Sequence, residues 1–237
     1  MEDGAFGIAT ALIYAPGNFT STGELGEVAA AMAPYGGVYI SHLRSEANNL
    51  LEAIDEAIEI GVRGGVPVEI FHLKAGGRDN WPKTVQAIAK IDSARATGVD
   101  VQANMYPYVA GSTGLTSCFP PSASANGRLY RNLADVQGRA RIRAEIETQT
   151  EDWENLCALS TPGGVLLLGF DKVENRRNYS GRYLDDVAEE FGKDWIETAM
   201  DLVLDERQRI GTVFFMMSEA NVRLQIQQPW MKFGTDA

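Results

Sequence analysis

The chain contains two histidines, and each closely follows a short apolar run. His42 comes after residues 38–40, and His72 comes after residues 68–71. The carboxyl ends of parallel strands meet at one face of an α/β barrel, so side chains on neighbouring strand ends lie close together. Neutral imidazole is a common ligand of zinc and similar ions. The pair therefore predicts a site for zinc or another divalent metal ion. The alternative is that each histidine is an ordinary structural residue.

Two more polar residues occupy similar positions, and each has several interpretations. Lys74, two residues after His72, could hold an anionic group of a substrate, form a Schiff base with a carbonyl substrate, or be a surface charge. Tyr106 follows the run 99–105 and could donate a phenolic hydrogen bond or simply pack against other aromatic rings.

Asp236 and Ser112 complete the set of candidates. Asp236 follows residues 231–234 and could be a third metal ligand, a general base or a solvated carboxylate. Ser112 lies in a Gly-Ser-Thr-Gly segment, residues 111–114, that is typical of an anion-holding loop or of a flexible hinge.

The elements that must position these residues alternate along the first part of the chain. Predicted strands cover residues 6–13, 38–40, 66–73 and 99–103, and predicted helices cover 24–33, 50–62 and 85–98. Repeats of about thirty residues are typical of βαβ crossovers, which produce parallel sheets or barrels.

The alternation stops after Tyr108, which suggests three segments. Residues 1–108 form strand-helix units, and residues 109–209 form an insertion or lid with helices at 135–151 and 183–206. Residues 210–237 resume the alternation, with strands at 213–217 and 231–234 around a helix at 219–228.

The composition excludes several partners. With 45% hydrophobic residues, a net charge of −11 and no cluster of Lys and Arg, the chain is not expected to bind nucleic acid. No apolar run approaches the roughly 20 residues of a membrane span. A small-molecule substrate is the expected partner. Cys118 and Cys157 lack metal-ligand spacing and are interpreted as free thiols, which favours a cytoplasmic location.

Several ordered motifs resemble the N-acyl-D-amino-acid deacylases, or D-aminoacylases, of the metal-dependent amidohydrolase superfamily. They are residues 4–7 (GAFG), 14–17 (YAPG), 35–46 (YGGVYISHLRSE), 72–74 (HLK), 106–113 (YPYVAGST), 217–222 (MSEANV) and 234–236 (GTD). The resemblance runs nearly end to end and is thin across the predicted insertion.

This resemblance implies the carboxyl-terminal part of a (β/α)8 barrel, about strands 4 to 7 and the last, with a helical insertion between the last two strands. It also implies hydrolysis of an N-acyl-D-amino acid to a D-amino acid and a carboxylate. His42 and His72 would be metal ligands and Asp236 the general base and acid, with Lys74, Tyr106 and Ser112 in contact with substrate.

Two departures from the family pattern qualify this expectation. The His-x-His pair and the bridging ligand, often Cys, do not occur before Gly4, and the arginine that follows the last-strand Asp is missing. The chain is therefore interpreted as an internal piece of a longer enzyme. The alternatives are a cyclic amidase similar to hydantoinases or dihydroorotases, a metal-independent Schiff-base lyase, and an inactive barrel fragment that only binds a ligand.

Overall fold

A computed structural model describes residues 1–14, 16–148 and 153–236. The chain divides into two compact units. We call Met1–Tyr108 together with Met217–Ala237 the parallel unit, and Val109–Met216 the antiparallel unit.

The parallel unit begins with four strands and three helices in alternation. They are β1 (Gly7–Ala11), α1 (Thr22–Ala30), β2 (Val38–His42), α2 (Leu50–Gly64), β3 (Val68–Ile70), α3 (Lys83–Ala96) and β4 (Val101–Met105). The predicted alternation is confirmed. Strand β3 is shorter than predicted because His72 has a left-handed backbone conformation, with φ of +38°, that cannot continue a strand.

The described residues of the antiparallel unit form four strands and six α-helices. They are β5 (Gly111–Gly114), α4 (Leu129–Ala134), α5 (Val136–Glu147), α6 (Leu156–Ser160), β6 (Val165–Gly169), α7 (Val173–Tyr179), β7 (Arg182–Tyr183), α8 (Leu184–Phe191), α9 (Trp195–Glu206) and β8 (Gly211–Phe214). Its sheet has the order β5-β8-β6-β7, and all its pairings are antiparallel.

The chain then returns to the parallel unit with α10 (Glu219–Ile226) and β9 (Met231–Phe233). The first sheet has the order β1-β2-β3-β4-β9 with every pair parallel. The described chain is thus an α/β fold with one parallel and one antiparallel sheet.

Local sequence explains where the helices of the parallel unit begin and end. Ser21 and Glu24 form a capping box at the start of α1, and Gly65 ends α2 in a left-handed conformation. Gly61 allows α2 to approach β3 closely, because a Cβ atom there would lie 2.1 Å from Val68 Cγ2. Apolar side chains such as Ile54 bury the inner face of α2 against the sheet.

Three expectations for residues 109–217 were wrong. The insertion predicted at 109–209 also contains strands β5, β6 and β7, which form an antiparallel sheet with β8. The strand predicted at 213–217 exists as β8, but it pairs with β5 and β6 and not with the parallel sheet. A short apolar run does not specify its partner, so it could not be distinguished from a barrel strand. The helix predicted at 183–206 is two helices, because Gly192 ends α8 in a left-handed conformation. The end of the helix predicted at 135–151 lies outside the described residues.

Cys118 and Cys157 form a disulfide, so their interpretation as free thiols was wrong. A helical turn at Leu115–Cys118 and helix α6 bring the two Cα atoms to 5.1 Å, although the residues are 39 apart in sequence. Disulfides persist in oxidising compartments, so the cysteines no longer favour a cytoplasmic location. Within the described ranges, every helix is too short or too polar to cross a membrane.

Candidate metal centre

The two histidines lie next to each other at the carboxyl end of the parallel sheet. His42 is the last residue of β2, and His72 lies two residues beyond the end of β3. Their ring centroids are 4.4 Å apart, and the ring planes are nearly perpendicular. Parallel pairing of β2 with β3 produces this proximity, as the spacing of the strands predicts.

A third potential ligand, Glu46, lies between the histidines. Its Oε1 is 2.9 Å from Nδ1 of His72, and its Oε2 is 3.7 Å from Nε2 of His42. One ligand atom from each of the three residues lies within 4.8 Å of the others. A donor set of two imidazoles and a carboxylate is typical of catalytic zinc sites, which leave one position open.

Sequence reasoning did not identify Glu46 as a site residue. The residue stands in the motif at 35–46, but it lies in the irregular segment between β2 and α2. No helical or strand spacing there predicts where its side chain points. Its burial is the useful signal, because a carboxylate only 8% exposed needs positively charged or hydrogen-bonding partners.

Lys74 supplies that positive charge. Its Nζ lies 2.5 Å from Oε1 of Glu46 and 2.8 Å from Nδ1 of His72, and the side chain is buried. Burial by itself raises the pKa of Glu46, but the Lys74 ammonium and the two imidazoles outweigh it and hold that pKa well below its usual range. The carboxylate is therefore charged at neutral pH.

His42 is neutral for a different reason. Burial lowers its pKa from 6.5 to about 4, and the nearby charge of Glu46 only partly opposes this shift. Its Nε2 atom is buried and has no hydrogen-bond partner among the described residues. A neutral imidazole with an unused ring nitrogen facing a carboxylate and a second imidazole fits a metal ion.

Tyr106 forms one wall of the site. Its ring centroid is 6.2 Å from that of His72, and Nζ of Lys74 lies 5.5 Å from it. Burial, followed by the charges of Glu46 and Asp236, raises the pKa of its phenol. Tyr106 therefore stays a hydrogen-bond donor at neutral pH. It lines a cleft whose other lining residues are His72, Leu73, Lys74, Ala75, Met105, Tyr108, Met217, Ser218, Asn221, Val222 and Gln225.

The remaining two predicted site residues, Asp236 and Ser112, lie in different units. Asp236 is exposed just after β9, and it lies close enough for its charge to act on the pKa values of both His42 and Tyr106. Ser112 belongs to β5 of the antiparallel unit, where its hydroxyl donates to the main-chain oxygen of Thr212 at 3.2 Å. The parallel unit thus brings together five of the six predicted residues.

Comparisons with known proteins place this geometry in context. No protein-family model matches the sequence. The D-aminoacylase of Alcaligenes xylosoxydans xylosoxydans is 30% identical over 223 residues, which are 94% of this chain and 36% of that protein. The N-acyl-D-glutamate deacylase of the same organism is 39% identical over 113 residues, which are 48% of this chain and 23% of that protein.

Solved structures of a D-aminoacylase and of an N-acyl-D-glutamate deacylase are also similar to this chain. A crystal structure of D-aminoacylase, described as defining a subset of amidohydrolases, matches 98% of this chain with 29% identity and a TM-score of 0.70. The N-acyl-D-glutamate deacylase from Bordetella bronchiseptica, in complex with zinc and a phosphonate inhibitor, matches 98% of the chain with 26% identity and a TM-score of 0.72. The chain covers 39% of each of those structures.

The fold and the sequence together relate the chain to the amidohydrolases. Within that class, its sequence and fold are similar to part of the D-aminoacylases, or N-acyl-D-amino-acid deacylases. It spans well under half the length of the relatives it matches.

Proposed function

We propose that this chain is part of a metal-dependent amidohydrolase that cleaves the amide bond of N-acyl-D-amino acids to give a D-amino acid and a carboxylate. The observation that carries the proposal is the meeting of His42, His72 and Glu46 at the carboxyl end of a parallel sheet. In this proposal, the parallel unit is the carboxyl-terminal part of a (β/α)8 barrel, where that end of the strands forms the active-site face.

His42 and His72 would hold a zinc ion or another divalent metal, with Glu46 beside them. The unused Nε2 of His42 and the chemistry of the donor set support this assignment. A bound ion would polarise the amide carbonyl and lower the pKa of a coordinated water. A related deacylase was solved with zinc, and work on a related D-aminoacylase describes a binuclear metal centre.

The other residues of the site would handle the substrate. Lys74 would pair with the carboxylate of the N-acyl-D-amino acid, since it lines the cleft and carries a positive charge. The Tyr106 phenol, which remains protonated, would donate a hydrogen bond to the substrate. The Asp236 carboxylate would accept a proton from the attacking water and pass it to the nitrogen of the leaving amine. Ser112 is retained as a proposed substrate contact from the family resemblance alone.

The decisive experiment measures zinc binding and amide hydrolysis separately. Calorimetry on the metal-free chain should show zinc binding that is lost in His42→Ala and His72→Ala. Hydrolysis of N-acetyl-D-methionine should require zinc, and N-acetyl-L-methionine is the matched control substrate. The assay is run on this chain and on a version extended to the length of its relatives.

The other outcomes correspond to the alternative functions. Zinc binding without turnover in the extended protein would indicate an inactive barrel that only binds a ligand. Turnover of cyclic amides alone would indicate a cyclic amidase. Borohydride trapping of a carbonyl substrate on Lys74 would indicate a Schiff-base lyase and contradict the metal proposal, although the 2.5 Å ion pair with Glu46 disfavours a free amine there.

A further inference from the structure

His72 has a backbone conformation that a non-glycine residue adopts only when its surroundings enforce it. Its φ is +38°, and it lies two residues after the end of β3. A left-handed conformation is unfavourable for a residue with a Cβ atom. Some neighbouring group must therefore hold His72 in place.

Asn104, in β4, makes the contacts that can do this. Its side-chain Oδ1 accepts a hydrogen bond from the main-chain N–H of His72 at 2.7 Å. Its main-chain oxygen accepts a second bond, from the N–H of Leu73 at 2.8 Å. Two consecutive amides of the segment that carries the imidazole are thus bound to one residue.

The orientation of the Asn104 amide is itself determined by its neighbours. Its Nδ2 donates to Oε1 of Glu69 at 3.1 Å, and Oε2 of Glu69 accepts from Nζ of Lys232 at 2.7 Å. Glu69 is only 8% exposed, and an ionised carboxylate can only accept hydrogen bonds. The NH2 group of Asn104 must therefore face Glu69, which leaves Oδ1 facing His72.

We propose that Asn104 is a positioning residue that sets the direction of the His72 imidazole, and that Glu69 and Lys232 keep its amide in the required orientation. The chain of contacts joins β3, β4 and β9 to the peptide that carries a ligand of the metal centre. The link to metal binding rests on the proposed function. The clamp on the His72 backbone does not, and it is measured independently.

Two readouts test the two parts. Zinc affinity is measured by calorimetry, with the visible absorption of bound Co²⁺ as a signature of ligand geometry. Amide hydrogen exchange at His72 and Leu73 reports the clamp directly. In Asn104→Leu we expect a zinc Kd about 10- to 100-fold higher, an altered Co²⁺ spectrum, and roughly tenfold faster exchange at His72. The matched control is Gln102→Leu, on the same strand, because the Gln102 amide donates to Asp100 instead.

A swap of the two interacting groups distinguishes positioning from mere packing. Asn104→Asp alone places two carboxylates face to face and should weaken zinc binding. Combined with Glu69→Gln, it gives every donor an acceptor again. The carboxylate at position 104 accepts from the N–H of His72 and from the amide NH2 at position 69. The amide oxygen at position 69 accepts from Lys232. The double variant should return the Kd and the exchange rate to within about threefold of the original values, since all the hydrogen bonds are again made.

Each outcome decides the inference. A folded Asn104→Leu variant with unchanged zinc affinity and unchanged exchange at His72 would overturn it. If that variant does not fold, the swap decides, and a double variant no better than Asn104→Asp would also overturn it. If the original chain binds no zinc, the proposed function fails, and exchange at His72 alone decides whether the clamp exists.

Discussion

Glu46 of the parallel unit and Glu206 of the antiparallel unit are both buried carboxylates, and their partners differ in kind. In the parallel unit, Glu46 contacts an ammonium and two imidazoles. In the antiparallel unit, Glu206 is 2% exposed and accepts hydrogen bonds from the main-chain N–H groups of Asp171 and Lys172 and from the Asn175 amide.

This difference separates a chemical role from a structural one. The partners of Glu206 include main-chain and amide donors that fix the start of α7 to the end of α9. The nearest partners of Glu46 are groups that can exchange protons or bind a metal ion, and they face a cleft. Burial thus marks a carboxylate as one that needs partners, and the identity of those partners separates a chemical role from a structural one.

The largest expected effect concerns the ion pair of the parallel unit. Lys74→Met should lower the free energy of unfolding of the metal-free chain by as much as about 5 kcal/mol, because Glu46 would remain buried without its cation. Urea unfolding followed by Trp81 and Trp230, in a Trp153→Phe and Trp195→Phe background, reports this unit. The matched control is Lys90→Met, which breaks the exposed pair with Asp55 and should cost less than about 1 kcal/mol. Equal costs for the two variants would contradict the comparison.

The next effect concerns the antiparallel unit, which a covalent bond stabilises. The double variant Cys118→Ser, Cys157→Ser should lose about 4 kcal/mol of stability, because the disulfide closes a loop of 39 residues and restricts the unfolded chain. Urea unfolding followed by Trp153 and Trp195 measures this loss. The original protein should lose a similar amount in dithiothreitol, and the variant should not respond to it. Zinc binding by the parallel unit should be unchanged, and a lost zinc site would contradict the assignment of separate roles.

The smallest effect is the pH dependence caused by His42. Its pKa is about 4 in the folded protein, against 6.5 for an ordinary histidine. The unfolded chain therefore binds a proton below pH 6.5 that the folded chain does not bind until about pH 4, so stability falls as the pH falls. Between about pH 7 and 5, the metal-free chain should lose about 2 kcal/mol. His42→Asn should remove that part of the slope, and identical slopes would show that His42 is not held neutral by burial.

Much of the parallel unit could be predicted from local sequence. Apolar periodicity located its main strands and helices, and the regular spacing placed His42 and His72 on neighbouring strand ends. The partnership of Glu46 could not be predicted, because it depends on an irregular loop that folds back between two strands. The left-handed backbone of His72 was also beyond reach, since the bonds that enforce it come from Asn104 on another strand.

The antiparallel unit was less predictable for a related reason. Its strands β6 and β8 are short apolar runs, and such runs are equally compatible with parallel and antiparallel pairing. The disulfide depends on a distance in space that a separation of 39 residues does not reveal. In both units, long-range pairing was the information that local patterns lacked.

The pairing of β4 with β9 has a consequence for the order of folding. Ala103 lies opposite Met231, and the whole antiparallel unit lies between them in sequence. Contacts between such distant residues form slowly, because the intervening chain must first be closed into a loop. During synthesis, β1 to β4 and the antiparallel unit are available before β9 is. Lys232 belongs to β9, so its bond to Glu69 forms only after the antiparallel unit has been synthesised, whereas His42, Glu46 and His72 are made much earlier.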